Sequence, residues 1–318
     1  TGKMKEKKEV KTSARTIGLG FLFMEAVVFI LNITILLLSE ALNAFGVINF
    51  NLLEDSAVLQ AVQILISIPG FTLPFILSFK IARLRISDLI EFGAPDKKTV
   101  LPFLLFGIAF CSFANMASSV AGGIFESFGI GYNVDFPESP KGIFGFFLTF
   151  ISTVITPALV EEFACRGLIL GHLKKYGEGF AIIVSALLFG LMHGNFEQIP
   201  FAFLVGLVLG YITVKSGSIW PAVAVHAFNN FVSVAFEYFL SAFSVDIQNV
   251  LYSFFLILCL LSGIIAILLL KNKSEAYKLS PADMEGSEKE KYKWFFTSPV
   301  VIIFVCICFY FCSINEDV

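Results

Sequence analysis

The sequence predicts an all-α fold: a polytopic membrane helix bundle of about nine transmembrane helices, with eight as the alternative count, and a cytoplasmic N-terminus. Three observations carry this prediction. Of the 318 residues, 57% are hydrophobic and only 15% are charged, whereas a soluble domain carries about 25% charged residues. The apolar residues form long runs, and the basic residues are distributed asymmetrically between those runs.

The apolar runs define the predicted spans, because a helix needs roughly 20 apolar residues to cross a bilayer. In chain order the predicted spans are Ile17–Leu38, Val58–Phe79, Val100–Phe125, Ile143–Leu170, Gly179–Gly194, Ile199–Val214, Ile219–Leu240, Val250–Leu270 and Phe295–Cys312. The fifth and sixth runs are short, which is why eight is the alternative count. The first run lacks a small-residue cleavage site, so we expect a spanning helix there rather than a signal peptide.

The basic residues predict the orientation of the bundle. With the N-terminus in the cytoplasm, every Lys and Arg except Lys141 falls on the inner side of the predicted spans. Cytoplasmic segments of membrane proteins carry an excess of Lys and Arg, so the reverse orientation is disfavoured. Nine spans would then place the C-terminus outside.

The chain divides into four predicted parts. Residues 1–16 form a basic cytoplasmic N-terminus, 17–140 the N-terminal transmembrane helices, 141–240 the core helices, and 241–318 the C-terminal transmembrane helices with a charged cytoplasmic loop at 271–294. We expect an integral, multi-pass protein of a bacterial plasma membrane. Its expected surroundings are membrane lipid, and no nucleic-acid partner is expected.

Polar side chains at membrane depth are concentrated in the core helices. Charged residues are rare in spanning helices and by default face the bundle interior or a water-filled cavity. The candidate functional residues are Glu161, Glu162 and Arg166 in the fourth span, His193 in the fifth, and His226 and Asn230 in the seventh. Their similar depth predicts one polar site inside the bundle.

Helical spacing sorts these residues. Glu162 and Arg166 are four residues apart, so they lie on one helix face and can form an ion pair. Glu161 points to a different side and has no basic residue at that spacing. His226 and Asn230 are also four apart and can face one cavity. One carboxylate is therefore expected to be paired while the other stays available.

Two kinds of chemistry fit a carboxylate and two imidazoles in a dry pocket. In the first, a carboxylate or imidazole takes a proton from water, and an N–H group stabilises the oxyanion of peptide hydrolysis. In the second, His193 and His226 with Glu161 hold zinc and leave one position open for water. The H-E-x-x-H spacing of soluble zinc proteases is absent. The sequence leaves both alternatives open.

Non-catalytic interpretations of the same residues also stand. A histidine in a membrane helix is often an interhelical hydrogen-bond partner, and the Glu162–Arg166 pair can be purely structural. Intramembrane Glu and His also serve transporters and proton relays. The chain shows no internal repeat of the kind that marks many transporters, which counts against that class.

Three short motifs occur in order along the core helices. They are E-E-x-x-x-R at Glu161–Arg166, F-x-x-x-H at Phe189–His193, and H-x-x-x-N at His226–Asn230. Each motif is weak alone, but the ordered set on successive membrane helices is specific. Together they resemble the CPBP family of intramembrane proteases, also called the Abi or CAAX-protease family, over about Lys141–Leu240.

The resemblance implies a function. The chain would be an intramembrane endopeptidase, either glutamate-dependent or a metallo-endopeptidase, acting on a membrane-bound or hydrophobic peptide. Glu161 would be the catalytic base, and His193 would help to activate the water. The family also includes bacteriocin-immunity proteins, so a non-catalytic immunity or scaffold protein is the alternative, with a transporter as a third class.

The resemblance also implies roles for the remaining candidates. Glu162 and Arg166 would position the first carboxylate or the substrate. His226 and Asn230 would stabilise the oxyanion, or His226 would join the ligands of a zinc ion. A metal requirement is therefore left open.

Overall fold

The computed structural model describes residues 2–46, 55–95, 97–127, 138–271 and 277–314. Over these residues the regular secondary structure is helical, and no strand occurs. The helices are α1 (Gly2–Ala44), α2 (Ser56–Ile81), α3 (Lys97–Ser127), α4 (Gly142–Tyr176), α5 (Glu178–Leu191), α6 (Gln198–Ser216), α7 (Trp220–Ala235, continued by a π-helical segment Phe236–Leu240), α8 (Val245–Leu270), α9 (Glu288–Phe296) and α10 (Pro299–Ile314).

The predicted all-α membrane bundle is confirmed. In the described ranges six helices are long and apolar enough to cross a membrane, namely α1, α2, α3, α4, α6 and α8. The pair α9 and α10 is bent by 72° and would make a seventh span if counted as one. On α8 only Cys259 and Ala266 are buried, so most of this helix presents apolar side chains to its surroundings. The chain is an integral membrane protein.

In the described part of the chain the span count is lower than the nine predicted, because one of the nine runs forms a short helix and another is interrupted by polar residues. Helix α5 has only 14 residues, and most of them are buried by neighbouring helices. Helix α7 with its π-helical continuation, Trp220–Leu240, is long enough to span, but it carries His226, Asn229 and Asn230, which lower its mean hydropathy. An apolar run of 10–14 residues is more typical of a buried helix than of a full span. Of these two helices, α7 carries His226 and Asn230, and α5 carries Phe189 and ends just before His193.

Two segments expected to lie outside the membrane contain helix. The basic residues 2–16 belong to α1, which continues through the first apolar run to Ala44. The charged loop predicted at 271–294 contains the start of α9, where Lys291 and Trp294 are buried; residues 272–276 of that loop lie outside the described ranges. The orientation of the bundle and the four-part division of the chain stay predictions.

Polar contacts hold the end of α4 against the N-terminal half of α1 and against α9. The hydroxyl of Ser13 is 2.8 Å from Nε2 of His172 and 2.9 Å from the hydroxyl of Tyr176. The buried ammonium of Lys291 donates to the carbonyl of Tyr176 at 2.7 Å. These bonds satisfy polar groups that would otherwise be buried without partners, which is a costly arrangement.

Helix α4 is irregular on both sides of the acidic pair. A π-helical segment occupies Phe150–Ile155, and a second occupies Phe163–Leu170, directly after Glu162. π-Helical turns are rare and occur frequently at functional sites. From Ala164 to Leu170 every residue is buried, so the second segment lies in the centre of the bundle.

Glycines permit close approach around α4. An added Cβ at Gly206 would lie 2.9 Å from the Cα of Ala186, which brings α6 onto α5. At Gly171 an added Cβ would overlap the backbone carbonyl of Leu89, in the segment that follows α2. Gly194 has a different role, because it lies in a turn with φ +63°.

The close approach at Gly171 gives a test. Gly171→Ala should lower the free energy of unfolding in detergent by about 1–3 kcal/mol, because the new methyl group must displace backbone rather than a mobile side chain. The matched control is Gly122→Ala in α3, where an added Cβ meets nothing within 4 Å. Equal unfolding midpoints for the two variants would contradict this packing.

Candidate functional site

The acidic pair of α4 is split between two environments. Glu162 forms the predicted ion pair with Arg166, with Nη1 of Arg166 2.8 Å from Oε1 of Glu162 and both side chains fully buried. Glu161 has a side chain that is 14% exposed. Because an isolated buried charge is strongly disfavoured, the carboxylate of Glu162 and the guanidinium of Arg166 each depend on the other.

Arg166 also joins α4 to two neighbouring helices. Its Nη2 lies 3.3 Å from the carbonyl oxygen of Gly206 on α6, to which it donates. Its guanidinium carbon lies 4.3 Å from the centroid of the Phe189 ring on α5. A guanidinium over an aromatic face gains a cation–π attraction that strengthens when water is excluded. The cation thus contacts three helices at one point.

His226 on α7 completes the network. Its Nδ1 lies 2.9 Å from Oε1 of Glu162, the same oxygen that accepts from Arg166. An ionised carboxylate only accepts hydrogen bonds, so Nδ1 carries a proton in this arrangement. The other ring nitrogen, Nε2, faces Oε2 of Glu161 at 3.9 Å. That separation exceeds a hydrogen bond and leaves both atoms available to a third molecule.

Two buried polar atoms of this network have no hydrogen-bond partner in the part of the chain that the structure describes. They are Oε2 of Glu162 and Nε of Arg166. Unsatisfied buried polar atoms are rare in folded proteins and commonly mark strain, a functional role or a place for water. Here they belong to the ion pair beside Glu161.

His193 lies in a turn, which corrects its expected place inside the fifth span. Helix α5 ends at Leu191, because Gly194 adopts a positive φ and Asn195 accepts a hydrogen bond from the backbone of Gln198 at the start of α6. The Nδ1 atom of His193 lies 2.8 Å from the carbonyl oxygen of Phe189. A carbonyl only accepts, so this bond fixes the proton on Nδ1 and leaves Nε2 free of it.

Phe189 is the common wall of the two imidazoles. Its ring centroid lies 5.1 Å from that of His193 and 5.9 Å from that of His226, both edge-to-face. The ring of Phe189 therefore lies beside both imidazoles, and the same ring also covers the guanidinium of Arg166. The two histidines thus lie against the same aromatic ring.

Asn230 is held by a backbone carbonyl of α4 and by a chain of amides. It donates to the carbonyl of Thr153 on α4 at 3.0 Å, and its own Oδ1 accepts from Asn229 at 3.3 Å. Asn229 in turn accepts from Asn115 of α3 at 3.2 Å. The sequence interpretation missed Asn115, although an asparagine in an apolar helix is itself a signal. These bonds orient the amide of Asn230 one helical turn beyond His226.

A cavity of about 200 Å³ adjoins this amide chain between α3, α7 and α8. Asn115 and Asn229 line its polar side, while Phe228, Phe236 and Tyr252 line its aromatic side. The cavity therefore presents both hydrogen-bonding groups and apolar surface beside α7, next to Asn230.

The proposed zinc ligands do not form a metal-binding group in this conformation. In the described part of the chain no three His, Cys, Asp or Glu side chains are arranged to hold a metal ion. Glu161 and His226 lie together and supply two candidate metal ligands. His193 is instead bonded to a backbone carbonyl. These residues therefore do not fit the expected His₂Glu zinc site without rearrangement.

The buried ion pair predicts a large effect on stability. Arg166→Met should lower the free energy of unfolding by about 3–5 kcal/mol, because it leaves the Glu162 carboxylate buried without its cation. The control is Lys141→Met, which removes the cation of the exposed pair with Glu138, 3.8 Å apart; no measurable change is expected there. Similar unfolding midpoints in detergent would show that the Arg166 pair adds no stability.

The core helices match known proteins. Residues 143–232 match the family model described as type II CAAX prenyl endopeptidase Rce1-like. The membrane-embedded CAAX protease MroQ of Staphylococcus aureus (strain USA300) is 29% identical over 153 residues, which cover 44% of this chain and 60% of MroQ. The chain thus spans less than two thirds of this relative. No solved structure gives a significant match. The similarity over the core helices confirms the resemblance to the CPBP family that the three motifs predict.

Proposed function

We propose that this chain is an intramembrane endopeptidase that hydrolyses a peptide bond in a membrane-bound or hydrophobic peptide. The observation that carries the proposal is the unequal use of the two glutamates. Glu162 is bound by Arg166 and His226, whereas Glu161 faces Nε2 of His226 across 3.9 Å. A carboxylate that is not paired with a cation is available to act as a general base.

In the proposed reaction Glu161 takes a proton from a water molecule, whose oxygen attacks the carbonyl carbon of the scissile bond. His193, with its proton fixed on Nδ1 by the Phe189 carbonyl, accepts a second hydrogen bond from that water through Nε2. The protonated Glu161 then passes its proton to the amide nitrogen, and the C–N bond breaks. The products are a carboxylic acid and an amine, which ionise to a carboxylate and an ammonium group. Glu161 has then returned the proton that it took, so atoms and charges balance.

The negative charge that develops on the carbonyl oxygen needs donors. His226 can donate from Nε2 when its ring carries both protons, since Nδ1 is already bonded to Glu162. The amide of Asn230, held by Thr153 and Asn229, is the second proposed donor. Preorganised donors of this kind stabilise the transition state because they need no reorientation during the reaction.

The substrate is proposed only as a class. The names of the matching family and of MroQ refer to CAAX proteases, which makes a prenylated C-terminal peptide one member of the proposed class. Membrane lipid surrounds the apolar outer surface in this proposal, and a bacterial plasma membrane is the proposed location. No narrower substrate is proposed.

A non-catalytic scaffold is the second candidate, and one observation favours it. The contacts of Arg166, Glu162 and His226 join α4, α5, α6 and α7, so the same polar cluster can serve only to hold helices together. The two candidates differ in whether Glu161 is needed, because Glu161 makes no hydrogen bond to another helix among the contacts that build the network.

Replacement of the proposed base separates the two candidates. Glu161→Gln should lower peptide cleavage in detergent by at least about 100-fold, because general base catalysis contributes roughly 10²–10⁴-fold. The thermal midpoint should stay unchanged. Cleavage is measured by mass spectrometry on a mixed library of hydrophobic peptides.

The control for that replacement is Glu237→Gln, an exposed glutamate in the π-helical continuation of α7. It makes the same chemical change away from the site and should retain full cleavage. Full cleavage by the Glu161→Gln protein would sink the proposed mechanism. Absence of cleavage by the unaltered chain across the library would favour the scaffold.

Chelation tests whether cleavage depends on a bound metal ion. Because no three-ligand group is formed, we expect cleavage to survive dialysis against EDTA and 1,10-phenanthroline. Elemental analysis of the purified chain checks the zinc content in parallel. Loss of cleavage that zinc restores would instead support the metallo-endopeptidase alternative and a rearranged His193.

A further inference from the structure

A basic groove lies beside the N-terminal half of α1, at the bend between α9 and α10. Its volume is about 800 Å³, and it is open on one side. Lys7, Lys8, Lys11 and Arg15 line it from α1, and the start of α10 at Pro299 lines it from the other side. Both α9 and α10 pack against α1, and the 72° bend between them lies at the groove.

The charges of α1 are separated between two faces. The acidic Glu6 faces α9 and accepts hydrogen bonds from the backbone of Glu285 and Gly286. Glu9 pairs with Lys5 at 4.0 Å. The four cations of the groove are all exposed and make no ion pair in the described ranges. The groove therefore carries a concentrated positive charge without an internal counter-ion.

The groove lies where two apolar helices begin. Arg15 precedes the apolar run that starts at Ile17, and α10 is apolar from Pro299 onward. The first turn of a helix also presents backbone N–H groups without intrahelical partners and the positive end of the helix dipole. A ligand in this groove would have its charged part at the cations and its apolar part beside the start of two membrane helices.

We propose that the groove binds the headgroup of an anionic phospholipid from the leaflet in which α1 enters the membrane. Lipid is favoured over a soluble anion because the groove opens at the border of the apolar surface, where a headgroup is delivered at high local concentration. Clusters of four or more Lys and Arg beside a membrane helix attract anionic lipids. The site is distinct from the Glu161 cluster and does not depend on the proposed peptidase activity.

The experiment uses the full chain purified in a neutral detergent. It is titrated with phosphatidylglycerol or with phosphatidylcholine of the same acyl chains, and bound lipid is counted by native mass spectrometry. A ligand of the folded state also raises the unfolding temperature. We expect phosphatidylglycerol to be retained and to raise the thermal midpoint, and phosphatidylcholine to do neither. Equal responses to the two lipids would overturn the proposal.

Two double variants test the location. Lys8→Gln with Arg15→Gln should weaken phosphatidylglycerol binding about fivefold for each cation removed. The control, Lys80→Gln with Arg85→Gln, makes the same charge change at the end of α2 and the segment after it, outside the groove, and should bind as the unaltered chain does. Equal weakening by both variants would show a general charge effect and contradict a built groove.

Two further measurements distinguish a lipid headgroup from a soluble anion and from a nucleic acid. Inorganic phosphate should leave the thermal midpoint unchanged at concentrations where phosphatidylglycerol raises it, and a single-stranded oligonucleotide should not displace the lipid at physiological salt. A midpoint shift with phosphate alone would mean a soluble-anion site. Displacement by the oligonucleotide would mean a nucleic-acid surface. Either result would overturn the proposal.

Discussion

The burial of Arg166 inside the bundle is the interaction on which the rest of the site depends. A cation at membrane depth is costly unless acceptors surround it. The chain supplies them from three helices: the Glu162 carboxylate on α4, the Gly206 carbonyl on α6 and the Phe189 ring on α5. These helices must therefore approach closely, and Gly206 allows this because it has no side chain against Ala186. The contacts of Arg166 therefore join α4, α5 and α6 at the site.

The bonds that neutralise Arg166 also determine which other polar side chains remain available to a substrate or water. Glu162 shares one oxygen between Arg166 and His226, so it anchors the network. His226 is thereby held with Nε2 toward Glu161. Glu161, one residue earlier on the helix, points away from the ion pair and stays available. The proposed division of labour between two adjacent glutamates thus has a structural cause: one neutralises a buried cation, and the other is left for chemistry.

The sequence predicted the features that lipid and helical geometry dictate. Long apolar runs gave α2, α3 and α8, and the spacing of Glu162 and Arg166 gave their ion pair. Features that depend on tertiary contacts were not predictable in this way. The turn at His193 depends on the conformation of Gly194, and α9 is stabilised within a charged segment because Lys291 reaches the carbonyl of Tyr176. The bond between Asn115 and Asn229 joins residues 114 positions apart, which no local pattern reports.

The most direct test of this account is a double-mutant cycle between Arg166→Met and His226→Phe, measured as free energies of unfolding in detergent. The two residues bond to the same oxygen of Glu162, so the account predicts that their effects are coupled by about 0.5–3 kcal/mol. The coupling arises because each replacement changes the carboxylate that the other residue contacts. Effects that add within about 0.5 kcal/mol would contradict a shared buried network centred on Glu162.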